Sequence, residues 1–435
     1  MSKIIAQPVG QPDRKRKADQ GSAKDTEKVV SKKLAPAPAP ACACACASSL
    51  TGHPNSTARD LLFDYNIDPY DKSDEELIDA AMVFLSKFHL FTEFSFDEQS
   101  ARNFMHKVRT LYNPENSFHN FKHVWGVMHV CFHLLVNGGA EHLMPLDILA
   151  VWISALCHDV QHPGNNNAFE EATASDLSRS NVGLHPTAGI LELHHAMQTS
   201  KLLFASGTEY EIMKHLSDAD KEHLARQVGL IILATDMAKH QHILEEARAY
   251  TNRRITRRSL KQSLSTCSLI SSSGGDSPNK VGRSGVRTVS GDGGDATACT
   301  AINFTDVNPV VKGLVQKDDP ESRIAFTRVL VHTADIGAQT QGSATARKWM
   351  ERCYGEFRNQ ANKEKKLGIM TSPFLHDLQE DWKAFSAQYY FIQDTVEPLW
   401  TAMSMFLPGM QFATDQLIEN KVGYKTTLED CLRKQ

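Results

Sequence analysis

A chain of 435 residues that is 41% hydrophobic and 23% charged has ample material for a sizeable core, which excludes a wholly disordered or fibrous protein. Its net charge of −4 hides an asymmetry: residues 1–34 carry nine Lys/Arg against four Asp/Glu and residues 251–290 carry eight against one, so these basic stretches of +5 and +7 leave −16 for the rest. An acidic body argues against a nucleic-acid surface, because a phosphate backbone needs a basic footprint, whereas a small phosphate ester can bind where metal ions supply local positive charge.

In chain order, residues 1–58 are predicted to be a disordered tail: polar, poor in aromatics and carrying the Ala-Pro run Ala35 to Ala41. Arg14-Lys15-Arg16-Lys17 followed by Lys32-Lys33 reads either as a solvated basic tail or as a bipartite nuclear import signal. The repeat Cys42-Ala43-Cys44-Ala45-Cys46 beside it would, if palmitoylated, give weak membrane association. Low-complexity sequence without function and metal binding by the thiols are the other readings. The polar amino terminus carries no secretory signal, and Ser2 in place of Gly excludes N-myristoylation. The apolar stretch Ile148 to Cys157 is too short to span a bilayer. Nine cysteines in no paired framework suggest free thiols in a reducing, cytoplasmic setting, with a membrane-associated or nuclear pool through the tail.

From about residue 60 to 250 the pattern is helical. Leu77, Ala80, Ala81, Phe84, Leu85 and Phe88 share one face, and Leu224 to Met237 reads as a helix buried in a bundle. Residues 251–300, rich in Ser, Gly, Arg and Thr, are expected to be a disordered insertion. Within it, Arg253-Arg254-Ile255-Thr256 and Arg287-Thr288-Val289-Ser290 fit a basic-directed kinase as partner. Helical patterning resumes at Ser322 and runs to the carboxyl end. The expected fold is all-α, a single domain over 59–435 interrupted at 251–300.

Chemistry concentrates in three blocks: His119-Asn120-Phe121-Lys122-His123, His158-Asp159-Val160-Gln161-His162-Pro163-Gly164 and His332-Thr333-Ala334-Asp335. Imidazoles with carboxylates suit zinc, and further carboxylates and water suit a harder second cation. His119 and His123, four apart, fall on one helical face, as two ligands or as a ligand and a proton donor. Asp159, adjacent to His158, is placed to bridge two cations. Pro163-Gly164 is expected to stop the helix directly after that pair. Asp335 follows the apolar segment Val329-Leu330-Val331 and is expected to enter the site from a buried helix.

Together with Glu192-Leu193-His194-His195, Ala234-Thr235-Asp236-Met237-Ala238-Lys239-His240 and Gln388-Tyr389-Tyr390-Phe391-Ile392, in this order, these blocks resemble the class I cyclic-nucleotide phosphodiesterases, within the HD-type metal phosphohydrolases. The resemblance covers roughly Tyr112 to Trp400. It implies a compact multi-helix catalytic domain with a dinuclear metal site at the base of a deep pocket. It also implies hydrolysis of a 3′,5′-cyclic nucleotide, cAMP or cGMP, to the 5′-monophosphate by metal-activated hydroxide. Two divalent ions are implied: zinc on His123, His158, Asp159 and Asp335, and magnesium or manganese reached by Asp159. His119 would protonate the leaving oxygen and Glu356 would orient it. Substrate would be contacted by His119, Asp159, Asp335, Gln388 and Phe391, the last two gripping the purine by an amide and a stacking ring. His162, Glu192, His195, Thr235 and Asp236 would orient ligands and metal-bound waters. Ala338 stands where many members, cAMP-selective ones above all, have asparagine, Phe118 where tyrosine is common, and Leu193 where asparagine is frequent. The competing functions are another HD-type nucleotide phosphohydrolase, and a catalytically silent cyclic-nucleotide-binding or scaffold protein.

Overall fold

A computed structural model describes residues 56–181, 187–252, 315–371, 375, 378 and 380–434. The basic runs of the tail, Cys42, Cys44 and Cys46, and the two kinase-site matches lie outside the described residues. At the borders the expected limits move by a few residues. Ser56 already opens a helix because Ala58, Leu61 and Leu62 bury against the core, and Thr251 extends the helix before the insertion by donating its hydroxyl to Ala402 O at 2.8 Å.

Among the described residues every regular element is helical. Helices α1 (Ser56–Phe63), α2 (Asp74–Lys87), α3 (Leu90–Phe94) and α4 (Glu98–Thr110) lead into α5 (Phe121–Val136) and α6 (Pro145–Cys157). Short α7 (Asn167–Ala172) and α8 (Asp176–Asn181) precede α9 (Ile190–Leu203), α10 (Asp218–Leu233) and α11 (240–252). The remainder comprises α12 (Pro320–Asp335), α13 (Ser343–Leu367), α14 (Asp381–Phe391), α15 (Glu397–Phe406) and α16 (Gln411–Arg433), with a π-turn Ile392–Val396 between α14 and α15.

Local sequence sets the helix starts. Ser73 Oγ accepts from the Glu76 N–H while Glu76 Oε2 accepts from the Ser73 N–H at 2.8 Å, a reciprocal box worth about 1 kcal/mol at the start of α2. At α12 the proline preset for a first helical turn is Pro320, and Asp319 Oδ1 caps the Glu321 N–H at 3.1 Å. Helix therefore resumes two residues before Ser322.

The centre is built by α5, α6, α10 and α12, packed on one another. Ile148 to Cys157 of α6 is buried throughout, which explains why that run has no polar face. Each fully buried Leu, Ile or Val there contributes roughly 1.5–3 kcal/mol. Asp147 is the one acid of α6 and is 1% exposed. Its Oδ2 accepts from Arg323 Nε of α12 at 2.6 Å and its Oδ1 from Gln227 Nε2 of α10 at 3.1 Å. That carboxylate therefore sets how three central helices align, and their carboxyl ends reach one cavity.

Candidate active site and metal centre

Helices α6, α10 and α12 end at Cys157, Leu233 and Asp335, and the residues that follow or close them line a single cavity of about 390 Å³. Helix carboxyl ends carry partial negative charge, so three of them converging on one place favour cations there. The same cavity is lined by His119, Glu356, Gln388 and Phe391.

Behind Asp159 and Asp335 of this lining stand His123 and His158, so that four side chains meet. His123 Nε2 stands 3.2 Å from Asp335 Oδ1 and 3.4 Å from Asp159 Oδ2. His158 Nε2 stands 3.2 Å from Asp335 Oδ1 and 3.3 Å from Asp159 Oδ2. Nitrogen and oxygen ligands at about 2.0–2.2 Å from a divalent ion lie roughly 3–3.5 Å from each other, so these spacings fit one shared cation. His158 Nδ1 donates to Ala155 O at 3.0 Å, which leaves the Nε2 lone pair for a metal.

The two oxygens of Asp159 face different neighbours. Oδ2 points at His123 and His158, while Oδ1 lies 3.8 Å from His195 Nε2. His195 donates from Nδ1 to Val160 O at 2.7 Å, so its Nε2 is an acceptor, and that buried atom has no hydrogen-bond partner. Glu192 stands beside Asp236, and burial first, then the Asp236 charge, push its carboxyl up to about 7. Its Oε2 accepts from Asn167 Nδ2 at 3.0 Å. The orphaned imidazole acceptor beside Asp159 Oδ1, with Glu192 and Asp236 lining the same cavity, fits a second divalent ion there. Thr235 and Asp236 line the same cavity, with Asp236 Oδ1 capping the turn Met237–Lys239 through the Ala238 N–H at 2.8 Å.

The expected place of His119 on the α5 face is corrected. Helix α5 begins at Phe121, with Asn120 as its cap accepting from the Lys122 N–H at 2.9 Å, so His119 sits in the preceding segment. Its geometry comes instead from α13. Glu356, 4% exposed, accepts from His119 Nδ1 at 2.6 Å through Oε2, and from the backbone N–H groups of His119 and Phe118 at 2.8 and 2.6 Å through Oε1. The imidazole ring stacks on that of His162 at 3.9 Å, while His162 Nδ1 accepts from the Gly164 N–H at 3.0 Å. Burial opposes a charged His119, but the Glu356 carboxylate outweighs it and lifts the imidazolium to about 9. His119, His162 and Glu356 also come within metal-binding spacing of each other, yet three donors already occupy the Glu356 oxygens.

A second correction concerns α6, which ends at Cys157 rather than at Pro163-Gly164. Gln161 adopts a left-handed φ of 61° and donates its N–H to Leu111 O at 2.9 Å, a backbone course incompatible with continuing the helix. The apolar stretch ending at Leu233 likewise stops short of Met237, which lies in a separate turn.

Also lining the cavity, Gln388 of α14 is 3% exposed and its Nε2 has no partner, while Phe391 closes the helix just before the π-turn. Ala338 lines the cavity without a polar group to offer. Its neighbour Gln339 is committed elsewhere, donating to Ala346 O at 3.2 Å and accepting from Tyr424 OH at 3.1 Å. Phe118 packs its ring 4.5 Å from that of His123, a contact that needs no hydroxyl. Leu193 is buried in the core cluster. Sequence reasoning missed Asn167, which holds Glu192, and Gln360 of α13, whose amide exchanges bonds with Asn166 at 2.9 Å both ways. The run Asn165-Asn166-Asn167 carries only a turn signal, so nothing in it marked a pocket wall.

Over residues 118–417 the chain matches the family model of 3′5′-cyclic nucleotide phosphodiesterases. A curated relative, 3′,5′-cyclic-nucleotide phosphodiesterase regA of Dictyostelium discoideum, is 30% identical over 225 residues, which is 50% of this chain and 28% of the relative. The cGMP-specific 3′,5′-cGMP phosphodiesterase 3 of the same organism is 22% identical over 373 residues, 86% of this chain and 65% of the relative. The chain thus spans less than two thirds of either relative's length. Among solved structures, the phosphodiesterase domain of the RhoPDE fusion protein from the choanoflagellate Salpingoeca rosetta superposes with a TM-score of 0.67 at 23% identity, covering 88% of this chain and 100% of that one.

Proposed function

This chain belongs to the 3′,5′-cyclic nucleotide phosphodiesterase family, and on that premise we propose that it hydrolyses a purine 3′,5′-cyclic nucleotide to the nucleoside 5′-monophosphate. Divalent metal binding goes with the family, and the His/Asp clusters suit it. We assign zinc to His123, His158, Asp159 and Asp335, and magnesium or manganese to the Oδ1 side of Asp159. When bound, the cations neutralise the phosphodiester charge and lower the pKa of a bound water.

The chain's own residues do the rest. Because His119 Nδ1 is spent on Glu356, its proton for the leaving O3′ sits on Nε2. Glu356 keeps that ring charged at neutral pH, which supplies the acid that a departing alkoxide requires, a contribution of about 10²–10⁴-fold. The unpartnered Gln388 Nε2 donates to the purine edge and Phe391 stacks on its face. With Ala338 silent and Gln339 committed elsewhere, one amide reads the base, so both adenine and guanine nucleotides are candidate substrates. The competing HD-type substrates, nucleoside mono- or triphosphates, give Gln388, Phe391 and His119 no reason to occur together.

The observation that carries this reading is the His119–Glu356 pair in the same cavity as Asp159, Asp335 and Gln388. It is tested by assaying purified protein with zinc and magnesium on cAMP and cGMP, beside Asp335→Ala. Turnover that disappears with the substitution, together with bound metal, supports it, and two intact cyclic nucleotides sink it. No described helix is long and apolar enough to cross a membrane. Membrane association through Cys42, Cys44 and Cys46, and a kinase acting on 251–300, rest on the sequence signals alone, as does a cytoplasmic location.

A further inference from the structure

Asn116 lies outside every motif, yet its carboxamide joins the two segments that frame His119. It closes a turn in which its N–H donates to Asn113 O at 3.2 Å, and it is 8% exposed. A carboxamide nitrogen carries two hydrogens. Here one goes to the His119 carbonyl at 3.0 Å and the other to the His162 carbonyl at 2.9 Å. These are the two residues whose rings stack at 3.9 Å. The Asn116 backbone carbonyl in turn accepts from Asn120 Nδ2 at 2.7 Å, and Asn120 caps the helix that carries His123. The fit is close on the far side as well. A Cβ at Gly164, where φ is +75°, would lie 2.7 Å from Asn116 Oδ1, so the loop after His162 can approach only without a side chain there.

Glu356 fixes the Nδ1 edge of His119 and its N–H, but its hydrogen bonds go only to Phe118 and His119 and leave the loop carrying His162 to another partner. We propose that Asn116 is a positioning residue for the proton transfer, locking the backbone of His119 to that of His162 so that the Nε2 edge keeps one orientation over the phosphate. This rests on reading His119 as the general acid. Losing the two donated bonds would leave two carbonyls unmet and the acid loosely aimed. Base contacts and metal ligands would be untouched, so the loss should fall on kcat and not on KM.

The test is a double-mutant cycle on the full chain loaded with zinc and magnesium: wild type, Asn116→Ala, His119→Ala and the pair, with cAMP and cGMP. Asn116→Ala should lower kcat by about 30-fold with KM within about threefold, a fraction of what general-acid catalysis supplies. In the His119→Ala background the same change should cost under about twofold, since no acid remains to be aimed. Asn116→Leu, of similar size and with neither a donor nor a charge, should behave alike, and it carries the comparison if thermal melts show that Asn116→Ala does not fold. An unchanged kcat, or an equal loss with and without His119, overturns the proposal. A wild type inert on both nucleotides, or a fully active His119→Ala, instead overturns the acid assignment beneath it.

Discussion

Glu356 holds His119 at three points, accepting from Nδ1 at 2.6 Å and from the N–H groups of His119 and Phe118 at 2.8 and 2.6 Å. The carboxylate is itself kept below its usual range, because His119 and those N–H groups outweigh the cost of burial. Glu356→Gln keeps the shape but removes the charge, and should lower kcat by about 10²-fold. The sign of the pH effect follows. The His119 pKa is raised from 6.5 to about 9, so the pair's contribution to stability is complete below about 6.5 and is lost as pH rises through about 9. The alkaline limb of kcat in the variant should therefore move from near 9 toward 6.5, and a limb that stays in place would separate Glu356 from the acid.

Chelation should stop turnover and soften the fold together, because the four proposed ligands come from the start of α5, the residues just after α6 and the end of α12. An ion held at about a thousand times its Kd stabilises by about 4 kcal/mol. Melting curves with and without chelator should differ by several degrees, and zinc should restore them. A melt indifferent to chelator would count against the proposed metal centre.

Gln388 should affect binding without supporting the fold. Its buried Nε2 has no protein partner, so Gln388→Leu removes an unmet donor and should leave the melting temperature unchanged or higher. Losing the bond to the base should raise KM by about tenfold, or about 1.4 kcal/mol, with kcat nearly kept. A large drop in kcat at constant KM would place Gln388 elsewhere in the reaction.

Asp147 makes the opposite case. It is buried, paired with Arg323 at 2.6 Å and bonded to Gln227 at 3.1 Å, and it is not among the residues lining the cavity. Asp147→Ala leaves Arg323 uncompensated and should cost about 3–5 kcal/mol in denaturant unfolding. The proposed metal ligands should keep their geometry in whatever fraction folds, so activity per folded molecule should persist. Loss of specific activity in the folded fraction would show that the pair also shapes the site.

The proximity of the chemically distinctive residues was legible in their motifs: His123 and His158 lie beside Asp159 and Asp335, and these two acids line one cavity with Gln388 and Phe391. What the sequence could not carry was backbone course. His119 and His123 have helical spacing, but the Asn120 cap starts the helix between them. The stop at Cys157 depends on Gln161 bonding to Leu111, a contact between segments distant in sequence. Asn116, Asn167 and Gln360 are polar residues of common type whose roles exist only once the chain has folded, so no local pattern announces them.

The most direct measurement incubates the zinc- and magnesium-loaded protein with cAMP or cGMP in ¹⁸O-labelled water and identifies the product by mass. The expected result is nucleoside 5′-monophosphate with one solvent oxygen on phosphorus, lost in His119→Ala and Asp335→Ala. Recovery of both cyclic nucleotides unchanged, or a 3′-monophosphate product, would contradict the assignment of O3′ as the group that His119 protonates.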